Sequence, residues 1–151
     1  PSTRISLKRA SFSMPPRRQT NENDPRDWFE MAQERISSAD SLWKHDGLTH
    51  TGIEALQEGV ERYLKGYLVA QGWRLVRTHD LERLVKEAVQ FDQAFGRFYA
   101  LAEELTDDFF AQHYPGEDTT HVGENYEQMR IAASDLIQEI QRQLPNHFST
   151  T

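Results

Sequence analysis

The chain has no cysteine among its 151 residues. That absence excludes disulfides, thiolate nucleophiles and every zinc motif that draws on cysteine. Long apolar runs are missing too: stretches such as Tyr67-Leu68-Val69-Ala70 fall far below the roughly 18 to 20 residues needed to cross a bilayer, so no membrane span is expected. The opening residues are basic but lack the continuous apolar segment of a secretory signal, and the protein is read as intracellular and cytoplasmic. Neither a Gly-x4-Gly-Lys-(Ser/Thr) phosphate loop nor a Gly-x-Gly-x-x-Gly turn occurs. Any nucleotide must therefore be held by helix ends and side chains. No stretch alternates apolar and polar residues long enough to make a strand.

The net charge of -7 is unevenly spread. Residues 1–26 carry six cations against two acids, which leaves eleven cations against twenty-two acids in the rest. An acidic body argues against a broad nucleic-acid surface. Six of those eleven cations, Arg62, Lys65, Arg74, Arg77, Arg83 and Lys86, fall within residues 62–86, opposed there by Asp80 and Glu82.

Residues 1–23 are polar, basic and without periodicity, so they are expected to form a flexible tail. Helical grammar starts at Asp24-Pro25, an N-cap acid followed by proline at the first helical position, where its missing N–H costs nothing. Trp28, Ala32, Ile36, Ala39 and Trp43 then form one apolar stripe. A second helix is predicted over residues 51–71, ended by Gly72. Thr78 is expected to cap a third that ends near Phe91, and Asp92 a fourth that stops before Pro115. Thr120 is expected to open a fifth that runs to Pro145. The pattern predicts an all-α, antiparallel up-down bundle of about five helices, one domain over residues 24–145, with a short C-terminal tail at 146–151.

Four motifs lie on this frame in order: Trp28-x-x-x-Ala32; Gln57-Glu58-Gly59-Val60-Glu61-Arg62-Tyr63-Leu64-Lys65; Thr78-His79-Asp80-Leu81; and Phe109-Phe110-Ala111-Gln112-His113-Tyr114-Pro115. They resemble the signature segments of the HEPN domain, with His113 where that family usually has arginine. The resemblance spans residue 28 to about residue 144. It implies a helical bundle, frequently dimeric and often encoded beside a small nucleotidyltransferase as a two-component system. Of the family's two functional branches, one binds nucleotides. The other cleaves RNA through Arg-x(4 to 6)-His at the start of a late helix, often as a toxin.

The candidate nucleotide- and phosphate-binding residues are Glu61, Arg62, Lys65, His79, Asp80, His113 and Tyr114. Lys65 and Glu61 are one helical turn apart, which fits either an intrahelical ion pair or a phosphate ligand positioned by a carboxylate. In Thr78-His79-Asp80, capping explains the threonine and the acid, while the imidazole fits a structural hydrogen bond, phosphate contact or proton transfer. His113 fits a helix C-terminus, and Tyr114 a plate on which a base stacks. Lys65, His79, Asp80 and Tyr114 are expected to converge at one end of the bundle, where charge density favours an anion. Arg74 and His79 formally satisfy Arg-x4-His, but in a loop between the second and third helices. His113, Glu117, Asp118 and His121 share no standard ligand spacing and read as solvated loop residues, so no metal site is expected. No catalytic residue is assigned.

The expected function is nucleotide binding, with ATP or GTP as candidate ligand, by a homodimer acting with a small nucleotidyltransferase in a toxin-antitoxin-like system, and without catalysis by this chain alone. The alternatives are a metal-independent endoribonuclease toxin that engages RNA, and a plain dimeric adaptor.

Overall fold

A computed structural model describes residues 18–113, 115, 116 and 118–148. Most of the expected tail, together with Tyr114 and Glu117, lies outside the described residues. Among the described residues there are five α-helices and no strand, as the periodicity predicts: α1 (Pro25–Asp46), α2 (His50–Ala70), α3 (Leu81–Phe91), α4 (Tyr99–His113) and α5 (Tyr126–Gln143). Short 3₁₀ segments cover Gln93–Phe98 and Pro145–His147.

Asp24 caps α1 as expected, its side chain accepting from the Arg26 N–H, with Pro25 at the first helical position. Ahead of it, Arg18 is ion-paired with the buried Asp27, which also accepts from the backbone N–H of Asn21 at 2.7 Å. Residues 18–23 are thus tied to the first turn of α1 by named contacts. Gly47 ends α1 with φ +72°, and Thr49 caps α2, accepting from the Gly52 N–H at 2.9 Å. Gly72 takes φ +85° after α2, and the Trp73 N–H donates back to the Leu68 carbonyl at 2.9 Å, the 6→1 bond of a Schellman stop.

α1 and α2 are antiparallel and unusually close, because α2 presents glycine every seventh residue to its neighbour. A Cβ at Gly59 would lie 2.6 Å from Ile36 Cδ1, and one at Gly66 would lie 2.5 Å from Phe29 Cε1. Gly52 carries the same seam to Leu42, whose Cβ would be 3.8 Å from one added there. α5 completes this layer: it runs antiparallel to α1, with Arg130 bonded to Asp40 near one end and Phe148, just beyond α5, packed on Phe29 near the other. Tyr67 at the end of α2 donates to Gln143 at the end of α5, at 2.8 Å. Burial pushes its phenol up to about 12.

Three boundaries differ from the sequence reading. The cap of α3 is Asp80, which accepts from the Arg83 N–H; Thr78 instead accepts from the Asp80 N–H. Asp92 is a cap, as expected, but of a six-residue 3₁₀ segment that precedes α4. Phe95 and Phe98, three apart, are both buried there, and i, i+3 side chains eclipse on a 3₁₀ turn. α5 begins at Tyr126, six residues after Thr120. The cause is Gly123: its φ is +74°, its N–H donates to Asp108 at 3.0 Å, and Leu48 Cδ2 would lie 2.1 Å from any Cβ placed there. A left-handed residue wedged over Leu48 cannot belong to a helix.

A cleft between the second, third and fourth helices

On α2, residues 57, 61 and 65 share one face by i, i+4 spacing. Glu61 and Lys65 are both buried, each 5% exposed, and Lys65 Nζ donates to Glu61 Oε2 at 3.0 Å. The ammonium also sits 5.6 Å from the centroid of the Trp28 ring, a cation–π contact across the α1–α2 seam. A buried carboxylate needs a paired cation and hydrogen bonds to offset desolvation. Glu61 has a second partner: His79 Nδ1 lies 3.1 Å from each of its oxygens. With Nδ1–H donating to the carboxylate, Nε2 is left on an imidazole whose side chain is 87% exposed.

Beside this cluster opens a cleft of about 830 Å³, within the usual range for small-molecule sites. α2 contributes Gln57, Glu58, Glu61 and Arg62; the α2–α3 connection contributes Thr78, His79 and the cap Asp80; α3 contributes Glu82; α4 contributes Thr106, Phe109 and Phe110. Gln57 is 5% exposed, and its side-chain carbonyl oxygen has no hydrogen-bond partner; the Thr106 hydroxyl is likewise buried and unpaired. Such atoms are rare in folded proteins and raise the question of what satisfies them.

Of the residues singled out from the sequence, Glu61, Arg62, His79 and Asp80 line this cleft. Lys65 does not: it lies behind Glu61, as its intrahelical ion partner. Arg62 is engaged with the Glu58 carbonyl at 3.2 Å and the Glu58 carboxylate at 3.5 Å. His113 sits at the far end of α2, 3.2 Å from Glu54 and beside His50. Tyr114 lies outside the described residues. The anion-favouring charge inferred from residues 62–86 needs correction. Glu58, Glu61, Asp80 and Glu82 line the cleft against the single permanent cation Arg62, while Arg77, outside the lining, pairs with Glu22 at 3.3 Å. Neighbours in sequence project to different sides of a helix and its connection, so a cationic stretch need not become a cationic site.

Sequence reasoning missed Gln57, Thr106 and the aromatic wall of Phe109 and Phe110 as cleft residues. Gln57 was legible in part, one turn before Glu61. The α4 side chains were not, since only the return of α4 along α2 brings them there.

Among the described residues, fold and cleft together define a small helical bundle with an aromatic-walled recess on its flank. The model of the HEPN domain family matches residues 25–143, and the chain belongs to that family. Comparison with curated proteins and with solved structures gives no significant match. No helix among the described residues is long and apolar enough to cross a membrane.

Proposed function

We propose that this chain is a non-catalytic HEPN-domain protein that receives the base and sugar of a nucleotide in the α2–α3–α4 cleft. The observation that carries the reading is one cleft lined both by an aromatic pair, Phe109 and Phe110, and by the unpaired buried carbonyl of Gln57. Base stacking on an aromatic side chain contributes about 1 to 3 kcal/mol. The carboxylates and the Gln57 oxygen accept from amino groups and ribose hydroxyls, and leaving such acceptors unpaired is costly. The same carboxylates repel phosphates, which stay at the mouth.

Calorimetric titration with adenosine, guanosine, ATP and GTP tests the reading. At least one nucleoside is expected to bind as tightly as its triphosphate, with little dependence on salt. Absence of heat for all four at millimolar ligand removes the reading and leaves the adaptor alternative. The family tie supports a homodimer, because HEPN domains commonly dimerise, and the proposal adds a small nucleotidyltransferase as the partner. Light scattering with and without that partner checks both.

A second reading, a metal-independent RNase, rests on the Glu61–His79 pair: a carboxylate that orients Nδ1 and leaves Nε2 exposed is the arrangement of a general base. Cleavage of RNA in EDTA, lost in His79→Ala, is its signature.

A further inference from the structure

Where α2 begins and α4 ends, two imidazoles meet on one carboxylate. His50 and Glu54 stand one turn apart in the first turns of α2, and His113 is the last residue of α4. His50 Nε2 lies 3.3 Å from Glu54 Oε1, and His113 Nε2 lies 3.2 Å from the same oxygen. The three potential ligand atoms all fall within 4.8 Å of one another. Histidine and zinc are separated by about 2.0 to 2.1 Å in tetrahedral sites, so neighbouring ligand atoms stand roughly 3.3 Å apart. The two short separations match that edge.

The hydrogen bonding points the same way. His113 Nδ1 lies 2.9 Å from the Phe109 carbonyl, which can only accept, so Nδ1 carries a hydrogen. In the neutral ring the lone pair is then on Nε2, aimed at a carboxylate oxygen that is also an acceptor. Two acceptors at this distance repel unless a cation or a proton lies between them. Fixing Nδ1 on a backbone carbonyl is also how metal-ligating histidines are usually oriented. Beside His50 is a hollow of about 330 Å³ lined in part by Gln112, whose side-chain carbonyl is buried without a partner.

We infer that His50, Glu54 and His113 form a site for a divalent transition-metal ion of the zinc type, with water completing the coordination. Two imidazoles and one carboxylate select such ions over Mg²⁺ or Ca²⁺, which take oxygen ligands. The ion would bridge the start of α2 to the end of α4. His113 stacks on Phe109 at 4.1 Å, and Phe109 walls the cleft, so the metal holds that wall in place.

The test uses the untagged full chain stripped of metal, titrated with Zn²⁺ in a calorimeter and with Co²⁺ by visible absorption. One equivalent should bind, with release of protons and a rise in melting temperature. His50→Ala, Glu54→Gln and His113→Ala should each weaken Zn²⁺ binding about tenfold or more, while His79→Ala and His121→Ala should leave it unchanged. All three ligand side chains are about one-third exposed or more, and circular dichroism checks that each variant folds. The inference is overturned if the wild type shows no saturable binding at roughly millimolar Zn²⁺. It is equally overturned if the three ligand variants bind like the wild type, which would put the ion elsewhere.

Discussion

His79 presents Nδ1 to Glu61 at 3.1 Å from both carboxylate oxygens, although the histidine is at the surface and the glutamate is buried. Glu61 therefore joins the interior ion pair with Lys65 to the outer face of the cleft. Glu61→Gln should destabilise the fold by about 3 to 5 kcal/mol, since it leaves the Lys65 ammonium buried without a counter-charge. His79→Ala should cost less than about 1 kcal/mol, the ordinary scale for an exposed partner. Urea denaturation of both variants measures the contrast; equal losses would refute it. Combining Glu61→Gln with Lys65→Met should recover much of the stability, because the stranded charge is gone.

The glycine seam makes a separate prediction. Gly59→Ala places a methyl 2.6 Å from Ile36 Cδ1, so the helices must part or the isoleucine must move. Overpacking of this kind costs about 1 to 3 kcal/mol, even though alanine is the better helix former. Ile36→Val removes the offending Cδ1 and should make the Gly59→Ala substitution less harmful. Thermal melts of the two single variants and the double variant read the coupling; strict additivity would mean that the seam is not this close.

The separation between what was legible and what was not comes from where the information lies. Caps and stripes are local, so the Asp24-Pro25 start, the Gly72 stop and the buried run from Ile53 through Leu68 could be read directly. Glycines 52, 59 and 66 were visible as letters, but without a partner helix each reads as a weak point in α2. The start of α5 depends on Leu48 pressing against Gly123, a contact seventy-five residues apart in the chain. For the same reason the cationic stretch misled: Lys65 turns inward, and α4 supplies the aromatic wall from more than forty residues away.

Acid should release the segment ahead of α1. The Arg18 guanidinium, helped by the Asn21 N–H, holds the Asp27 carboxyl below the usual carboxylate range. A carboxyl depressed in the folded state contributes stability above its unfolded value of about 3.9, and the contribution is lost as pH falls through the lower folded value. Wild type should therefore melt above Asp27→Asn at pH 6, and the gap should close below about pH 4. A gap that persists unchanged at acid pH would show that the carboxylate charge plays no part.

RNA should remain intact when incubated with the purified chain in EDTA. Catalysis by the Arg-x4-His reading needs Arg74 to hold a phosphate within reach of His79 Nε2. Arg74 is exposed in the connection between α2 and α3 and makes no hydrogen bond or ion pair among the described residues, so nothing holds it in position. The cleft beside His79 carries Glu58, Glu61, Asp80 and Glu82, and a phosphodiester entering it meets like charge at close range. A base free of that charge can still stack on Phe109. The same preparation should therefore bind a nucleoside, and Phe109→Ala should weaken that binding by about 1 to 3 kcal/mol. Gel analysis of a labelled single-stranded RNA, run beside the nucleoside titration, decides between the two. Cleavage that survives EDTA and disappears in both Arg74→Ala and His79→Ala would replace the binding function with a nuclease. An intact RNA with saturable nucleoside binding would leave Glu61 and His79 the role of recognising a donor-bearing ligand.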